Sequence, residues 1–288
     1  MDVRYIRLIE EGEEDLWIRQ TDFSELFGQA WAHDDGGISH GPVEHLRYIK
    51  ERRGEKIVAL DAATGQLMGW IAVFPDRDIG GPVYGLAGIE VHRVHRGKGI
   101  GTGLMEAARQ YVEENRVHRL KFGTSPLLTN CARLYVTQFG ARYRWRRGVK
   151  GPKGGPWPCV SCECDFDDPL AKPLDLRDDE VEARSVLDWD GARPLPRKNV
   201  TYSGPLSVVM PELSPQGLTA AIDSVPWFLE TIYGVFDALY LHGYGFAWFD
   251  RIEASIAALG ASEAAHGASE AALGGRRWYY VMKRVVSI

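Results

Sequence analysis

The residues best suited to chemistry lie in a glycine-rich stretch, V-H-R-V-H-R-G-K-G-I-G-T-G-L, at residues 91–104. It follows an apolar segment and precedes a helical pattern. Glycines let a backbone turn tightly and approach a ligand without a clash from a Cβ atom. Successive N–H groups at the start of a helix, with the positive end of the helix dipole behind them, favour an anion. Arg96 and Lys98 add positive charge, so we expect this loop to hold a pyrophosphate.

Two other glycine-loop motifs do not fit this stretch. A dinucleotide fingerprint requires G-x-G-x-x-G after the first strand of a βαβ unit, whereas Gly97, Gly99 and Gly101 follow each other at intervals of two. A P-loop ends in G-K-[ST], whereas Lys98 precedes Gly99 here. Both alternatives are therefore excluded by spacing.

The pattern that does fit is [Q/R]-x-x-G-x-[G/A], with Arg96, Gly99 and Gly101 at the defining positions. It resembles the coenzyme A loop of the Gcn5-related N-acetyltransferase (GNAT) superfamily. The resemblance implies acetyl-coenzyme A as co-substrate and a primary amine of a small molecule or peptide as acceptor. The backbone of Ile89, Val91 and Arg93 would seat the acetyl carbonyl and the pantetheine. The pyrophosphate would rest on Arg96, Gly97, Lys98, Gly99, Ile100, Gly101 and Thr102.

A second segment, A-R-L-Y-V-T-Q-F-G-A at residues 132–141, resembles the A-x-x-L-Y-x-x-x-G-F segment of the same superfamily. The tyrosine of that segment often protonates the departing thiolate, a role that would fall to Tyr135. Asn130 lies about two residues later than an asparagine that often contacts the cofactor in the family. We carry it over as a cofactor-binding candidate.

An acetyl acceptor that arrives as an ammonium must lose a proton before it can attack. Glu90 is the first candidate for the general base, because it lies on the strand that would flank the thioester. His92 and His95 are alternatives. A binding protein that senses an acyl-coenzyme A without turnover is the alternative to an enzyme.

The loop and Tyr135 need a particular set of elements around them. Alternating apolar residues predict strands, and apolar residues at a 3.6-residue period predict helices. Strands are expected at 3–9, 56–62, 67–74, 84–91, 119–124, 141–148 and 158–166, and helices within 13–53, at 101–116 and at 127–138. This order is that of the GNAT fold, an α/β (α+β) fold with a mixed, mostly antiparallel twisted sheet flanked by helices. We assign it to residues 1–167.

The rest of the chain is divided into a linker or wrapping segment, 168–205, and an α/β extension, 206–288. The extension is predicted to contain strands at 206–210 and 276–286 and helices at 214–242, with a break at Pro226, and at 248–259. L-Y-L-H-G-Y-G-F at 239–246 has the spacing of the segment that begins at Leu134, so the extension resembles a degenerate second GNAT-like unit. Nine aromatic residues between 227 and 249 favour a core, with a subunit interface in a homodimer or an acceptor pocket as alternatives.

Three groups of polar residues are assigned to structure rather than to chemistry. Cys159, Cys162 and Cys164 share a strand and lack the partners of a closed zinc site. A histidine- and aspartate-rich group in the loop between the early helices is interpreted as acceptor contacts or solvated loop: His33, Asp34, Asp35, His40 and His45. A basic group on the last hairpin is expected to pair with the acidic segment 165–182, with the 3′-phosphate of coenzyme A or an acidic acceptor as alternatives: Arg142, Arg144, Arg146, Arg147, Lys150 and Lys153. We therefore expect no metal.

Composition limits the remaining function classes. Apolar residues make up 45% and charged residues 25% of 288 residues, which is typical of globular proteins. Residues 1–150 carry a net charge of +2 and residues 151–288 one of −7, which is too weakly basic for a nucleic-acid partner. No apolar run is long enough for a membrane span, and the first residues lack the pattern of a signal peptide. Four cysteines give no disulfide framework, so we expect a cytoplasmic protein.

Overall fold

In the computed structural model, the chain forms twelve strands and five helices within the residues described. Those residues are 2–20, 42–78, 81–126, 129–150, 157–169, 185–190, 193–196, 206–209, 226–242, 244–253 and 276–284. The strands are β1 (Val3–Arg7), β2 (Glu55–Asp61), β3 (Leu67–Asp78), β4 (Gly81–Val91), β5 (Arg119–Thr124), β6 (Arg142–Arg146), β7 (Cys159–Asp165), β8 (Leu187–Asp190), β9 (Arg193–Pro196), β10 (Leu206–Val209), β11 (Tyr244–Glu253) and β12 (Arg276–Arg284). The helices are α1 (Glu14–Gln20), α2 (Pro42–Glu51), α3 (Ile100–Glu114), α4 (Thr129–Ala132), which continues as a π-helix (Arg133–Gln138), and α5 (Pro226–Leu241).

The strands of the larger sheet follow the order β1-β2-β3-β4-β5-β7-β6. The first four are joined antiparallel, and β5 is parallel to β4. The predicted fold class, a mixed and mostly antiparallel sheet flanked by helices, is therefore confirmed. The chain divides into two compact units, residues 1–122 with 163–169 and residues 123–162 with 170–288. The boundaries predicted from composition at 167 and 205 stay a prediction.

In the first unit, the two faces of the sheet are covered by different helices. Side chains of successive strand residues point to opposite faces. A Cβ atom on Gly69 would lie 3.3 Å from Leu104 of α3, whereas Trp70 packs with Trp17 of α1 in the core cluster on the other face. The apolar residues of α3 recur every three or four positions and are buried: Ile100, Leu104, Met105, Ala108 and Val112. The α1 and α2 side of the sheet therefore forms a separate layer of the core.

In the second unit, aromatic residues from β6, α5, β11 and β12 pack together. The ring centres of Phe236 and Phe246 are 5.3 Å apart, and that of Tyr280 lies 5.4 Å from that of Phe246. Trp145 stacks on Phe236 at 5.4 Å. Tyr244 is also buried. Core packing, the favoured interpretation of the aromatic-rich region, fits these residues; the side chains of Trp227, Phe228, Trp248 and Phe249 lie outside the described residues.

The predicted helix at 248–259 is wrong where the structure describes it. Residues 248–253 belong to β11, which pairs antiparallel with β12 from Tyr244–Arg284 to Glu253–Arg276. Aromatic residues favour strands when a neighbouring strand is there to pack against, and that neighbour lies far along the chain. Pro226, where a break was predicted, is the first residue of α5, as suits a proline, which lacks an N–H donor. Residues 214–225 and the repeat at 260–273 lie outside the described residues.

The small sheet of the extension has the order β10-β12-β11. In this sheet β12 lies between β10 and β11, as β7 lies between β5 and β6 in the larger sheet. Along the chain, α5 comes between β10 and β11, and α4 with its π-helix comes between β5 and β6. This shared arrangement supports the hypothesis of a degenerate second GNAT-like unit, which stays a prediction.

Candidate cofactor and catalytic site

The glycine-rich loop lies where the sequence places it, between the end of β4 and the start of α3. A 3₁₀ turn, Arg93–His95, precedes it. Gly97 and Gly99 have φ angles of 75° and 83°, in the left-handed region that glycine adopts without strain. Gly99 is the N-cap of α3, and no side chain forms a capping hydrogen bond there. The first N–H groups of a helix have no partner within the helix, so this end of α3 is suited to receive an anion.

Arg96 and Lys98 are exposed beside the loop. The Nε atom of Arg96 donates a hydrogen bond to the Val91 carbonyl oxygen at 3.0 Å. Ile100 is buried in α3, and Gly101 and Thr102 are partly buried in its first turn. The side chain of Arg93 lies outside the described residues. The loop therefore brings two cations to the N-terminus of α3.

Among the described residues, the end of β4 pairs with β3 but not with β5. On the β5 side, Tyr84 is opposite Leu120 and Gly85 is opposite Lys121. On the β3 side, pairing continues to Val91, which lies opposite Gly69. The backbone of Ile89 and Val91 is thus not paired with β5 among the described residues, and the Val91 carbonyl oxygen instead accepts the hydrogen bond from Arg96.

Glu90 lies opposite Trp70 in the β3–β4 register, on the face covered by α1 and α2. Its Oε2 atom is buried and has no hydrogen-bond partner among the described residues. Burial raises the pKa of Glu90 from 4.5 to about 7, against the opposing effect of the positive charges of Arg96 and Lys56. A carboxylate with this pKa accepts a proton readily near neutral pH.

The two alternative bases lie directly before the loop. The ring centres of His92 and His95 are 5.8 Å apart. Burial and the positive charge of Lys98 lower the pKa of His95. Its two ring nitrogens are buried without hydrogen-bond partners in the described part of the chain. Both histidines therefore stay candidates beside Glu90.

Sequence reasoning missed a buried lysine next to this site. Lys56 has no exposed surface, and its Nζ atom lies 3.5 Å from the ring centre of Trp17 and 3.8 Å from that of Trp70. The same Nζ is 2.8 Å from Nδ1 of His45. The signal was available: Lys56 is the second residue of β2, and the four residues that follow it, 57–60, are all apolar, so a side chain at that position enters a core.

His45 was predicted to lie in a loop, and that prediction is wrong. It is buried in α2, which begins at Pro42. Proline is favoured at the first position of a helix, and the Gly41-Pro42 pair marks that start. His33, Asp34, Asp35 and His40 lie outside the described residues.

Tyr135 belongs to the second unit, in the π-helix that continues α4. It is buried, with 3% of its surface exposed, and its carbonyl oxygen accepts a hydrogen bond from the N–H of Ala141 at 2.9 Å. Short π-helical turns often occur at functional sites. The side chain of Asn130 lies outside the described residues.

The residues assigned to structure do not form a metal site among those described. No group of three or more histidine, cysteine or acidic residues there could hold a metal. No disulfide joins the four cysteines, all of which lie among the described residues, and Cys159, Cys162 and Cys164 are buried. Of the basic group, Arg147 pairs with Asp237, rather than with the acidic segment that the sequence suggested. No helix in the described ranges has the length and apolar character to span a bilayer.

Comparisons with known proteins complete the description of the site. Residues 17–141 match the family model described as acetyltransferase (GNAT) family. No curated protein matches the chain.

Among solved structures, one similar chain comes from the NatC complex bound to Gag peptide and CoA, with 17% identity, a TM-score of 0.44, and coverage of 59% of this chain and 100% of that one. The ribosomal-protein-alanine N-acetyltransferase of Brucella melitensis has 19% identity and a TM-score of 0.42, and the match covers 57% of this chain and 98% of that one. The ribosomal-protein-S18-alanine N-acetyltransferase of Escherichia coli has 12% identity and a TM-score of 0.42, and the match covers 61% of this chain and 100% of that one.

Proposed function

We propose that this protein transfers an acetyl group from acetyl-coenzyme A to a primary amine of a small molecule or peptide, and the match of residues 17–141 to the acetyltransferase (GNAT) family model supports this. The observation that carries the proposal is the loop before α3. Gly97 and Gly99 adopt left-handed backbone conformations there, and the N-terminus of α3 has no side-chain cap. A pyrophosphate accepts hydrogen bonds from such N–H groups and gains from the helix dipole.

The donor would lie along β4. The backbone of Ile89, Val91 and Arg93 is proposed to hold the acetyl carbonyl and the pantetheine, and residues 96–102 the pyrophosphate. Arg96 already reaches the Val91 carbonyl with its Nε atom. Its guanidinium is therefore close to both proposed parts of the cofactor site, and it can turn towards the phosphates when the cofactor binds.

The proposed reaction begins with a proton transfer. The ammonium of the acceptor gives a proton to the Glu90 carboxylate, directly or through water, and becomes a neutral amine. The nitrogen lone pair attacks the thioester carbonyl carbon, the new C–N bond forms, and the C–S bond breaks. The nitrogen then releases its second proton to solvent, as Glu90 does with the proton it accepted, so that the amide is neutral. Tyr135 is proposed to give its phenolic proton to the leaving thiolate and to recover it from solvent. The products are an acetamide and free coenzyme A.

Two measurements test this proposal. Calorimetry gives the affinity for acetyl-coenzyme A, and a thiol reagent follows release of free coenzyme A across a panel of small amines, amino acids, aminoglycosides and peptides. Thiol release that depends on one class of amine, with the acetylated product seen by mass spectrometry, is the expected result. Tight cofactor binding without thiol release over the whole panel would instead identify an acyl-coenzyme A sensor. Absence of binding would reject both.

A further inference from the structure

The ammonium of Lys56 is enclosed on three sides by aromatic rings. Trp17 of α1 and Trp70 of β3 present their ring faces to Nζ at 3.5 and 3.8 Å from the ring centres. Nδ1 of His45 in α2 lies at hydrogen-bond distance from Nζ, 2.8 Å. The face of an indole ring attracts a cation, most strongly where water is excluded. The three residues therefore form an aromatic cage that the protein fills with its own lysine.

Glu90 is on the other side of Trp70. In the sheet, Lys56 is opposite Ala72 and Glu90 is opposite Trp70. Because residues two apart on a strand share a face, Lys56, Trp70 and Glu90 all face α1 and α2. The cation and the carboxylate thus flank the same indole, one from β2 and one from β4.

The buried Oε2 atom of Glu90 has no hydrogen-bond partner among the described residues. Its ionisation is therefore governed by burial and by nearby charges. The charges that act on it are those of Arg96, from the segment after β4, and Lys56. Two further titratable groups lie on this face: His45 of α2, whose ring centre is 5.2 Å from that of Trp70, and His92, two residues after Glu90. From α1 and β1, the uncharged Trp17 and Ile6 pack here.

The cage and the burial of Lys56 have opposite effects on its pKa. Burial lowers the pKa of Lys56 well below its usual value of 10.5, and the charge of Glu90 opposes that effect. The two indole faces and His45 Nδ1 also favour the protonated amine. The cage holds Nζ at one position beside Trp70, which an exposed lysine side chain does not provide.

We propose that Lys56 is a positioning residue whose charge, held in the cage of Trp17, Trp70 and His45, sets the protonation of Glu90. This proposal rests on the proposed function only in giving Glu90 the role of general base. In that role, the charge of Lys56 would keep Glu90 ionised to lower pH and so extend acetyl transfer towards acid. Arg96 cannot replace it once a pyrophosphate binds, because the phosphates would then compensate its charge.

The direct test is a titration of Glu90 by ¹³C NMR in protein labelled at the glutamate carboxyl carbons, with the Glu90 signal assigned from Glu90→Gln. In Lys56→Met, a side chain of similar length that is compatible with the cage, the pKa of Glu90 should rise by about one unit. Lys50→Met is the matched control. Lys50 is an exposed lysine of α2 that pairs with Glu14, and its removal should leave the Glu90 titration unchanged. Equal Glu90 titrations in wild type and Lys56→Met would overturn the proposal.

A reciprocal measurement covers the case in which Lys56→Met does not fold. The coupling between two sites is the same from either side, so Glu90→Gln should lower the pKa of Lys56 by the same amount, as read from its ¹³Cε shift. An unchanged Lys56 titration would overturn the proposal without any use of Lys56→Met. Neither titration requires acetyl transfer, so a protein without transferase activity can still support or reject the coupling.

Where transferase activity is measured, the pH profile of kcat/KM separates positioning from a general structural role. Lys56→Met should move the acid limb up by about one pH unit, with the affinity for acetyl-coenzyme A unchanged. A uniform loss of activity at every pH, with the limb in place, would mean that Lys56 only supports the fold and would overturn the proposal.

Discussion

The guanidinium of Arg147, just after β6, donates two hydrogen bonds to the carboxylate of Asp237 in α5. Nε lies 2.7 Å from Oδ1 and Nη2 lies 3.1 Å from Oδ2. Trp145 Nε1 donates to the same Oδ1 at 3.1 Å. Paired N–H donors that match both carboxylate oxygens make a strong, directional contact. Within the second unit, the extension is thereby joined to β6, the strand that follows the helix of Tyr135.

Asp237→Ala should destabilise the second unit by about 1–3 kcal/mol, because it leaves the Trp145 N–H without its acceptor and Arg147 without its partner. Asp237→Asn keeps an oxygen for Trp145 and should cost less. Urea denaturation followed by the fluorescence of the tryptophans measures both. Equal stability of wild type and Asp237→Ala would show that the contact does not contribute.

Two buried tyrosines of the same unit provide a matched pair for a second prediction. Tyr280 donates its O–H to the Pro126 carbonyl oxygen at 2.6 Å, whereas the O–H of Tyr143 is buried without a hydrogen-bond partner among the described residues. Tyr280→Phe should cost about 1–3 kcal/mol, since it leaves a buried carbonyl unsatisfied. Tyr143→Phe should be neutral or stabilising. Thermal unfolding measures the stability of both variants. A larger loss of stability in Tyr143→Phe than in Tyr280→Phe would contradict the prediction.

The sequence predicted those elements of the fold that are determined by patterns among neighbouring residues. The strands and helix around residues 97–103 follow from alternating apolar residues and from glycines at a helix start, and their positions agree to within a few residues. The strand at Trp248 was missed because its partner, Val281 of β12, lies 33 residues further along the chain. The cage of Lys56 was missed for the same reason: Trp17, His45 and Trp70 meet only when α1 and α2 pack on the sheet.

Gly99→Glu should reduce the affinity for acetyl-coenzyme A at least 100-fold. A Cβ atom at this position meets no protein atom within 4 Å, but φ is +83°, and the new carboxylate would repel a pyrophosphate at the N-terminus of α3. Calorimetric titration measures the effect. Gly12→Glu is the control, because Gly12 has a φ of +74° and open space but lies in the turn after β1. If Gly12→Glu reduced the affinity for acetyl-coenzyme A as much as Gly99→Glu does, backbone strain at a positive φ would be the cause, and not the loss of a pyrophosphate site in the loop.

Tyr135→Phe should lower kcat about 10- to 100-fold and leave the affinity for acetyl-coenzyme A within a factor of two, since only the proposed proton donor is removed. A thiolate leaves more readily than an amine, so the loss is expected to be smaller than for a general acid in amide hydrolysis. Steady-state kcat with several acceptors, together with calorimetric titration of acetyl-coenzyme A, tests this. Unchanged kcat would assign Tyr135 to packing in the π-helix.

Glu90→Gln should lower kcat/KM about 100- to 10,000-fold if Glu90 is the base. The wild-type profile should rise with pH through about 7, the value to which burial raises the pKa of Glu90, because the ionised form accepts the proton. In the variant this limb should disappear. A limb near pH 7 that survives in Glu90→Gln would transfer the role to His92 or His95.

The same raised pKa predicts a pH-dependent effect on stability. Folding favours protonated Glu90, so its contribution to stability is complete below about pH 4.5 and is lost as the pH rises through about 7. Glu90→Gln removes the burial of a carboxylate and should stabilise the protein at pH 8 by at most about 3 kcal/mol, with no difference at pH 4. Denaturation at the two pH values gives this difference directly. If Glu90→Gln stabilised the protein equally at pH 4 and pH 8, the gain would come from packing of the amide and not from the ionisation of Glu90.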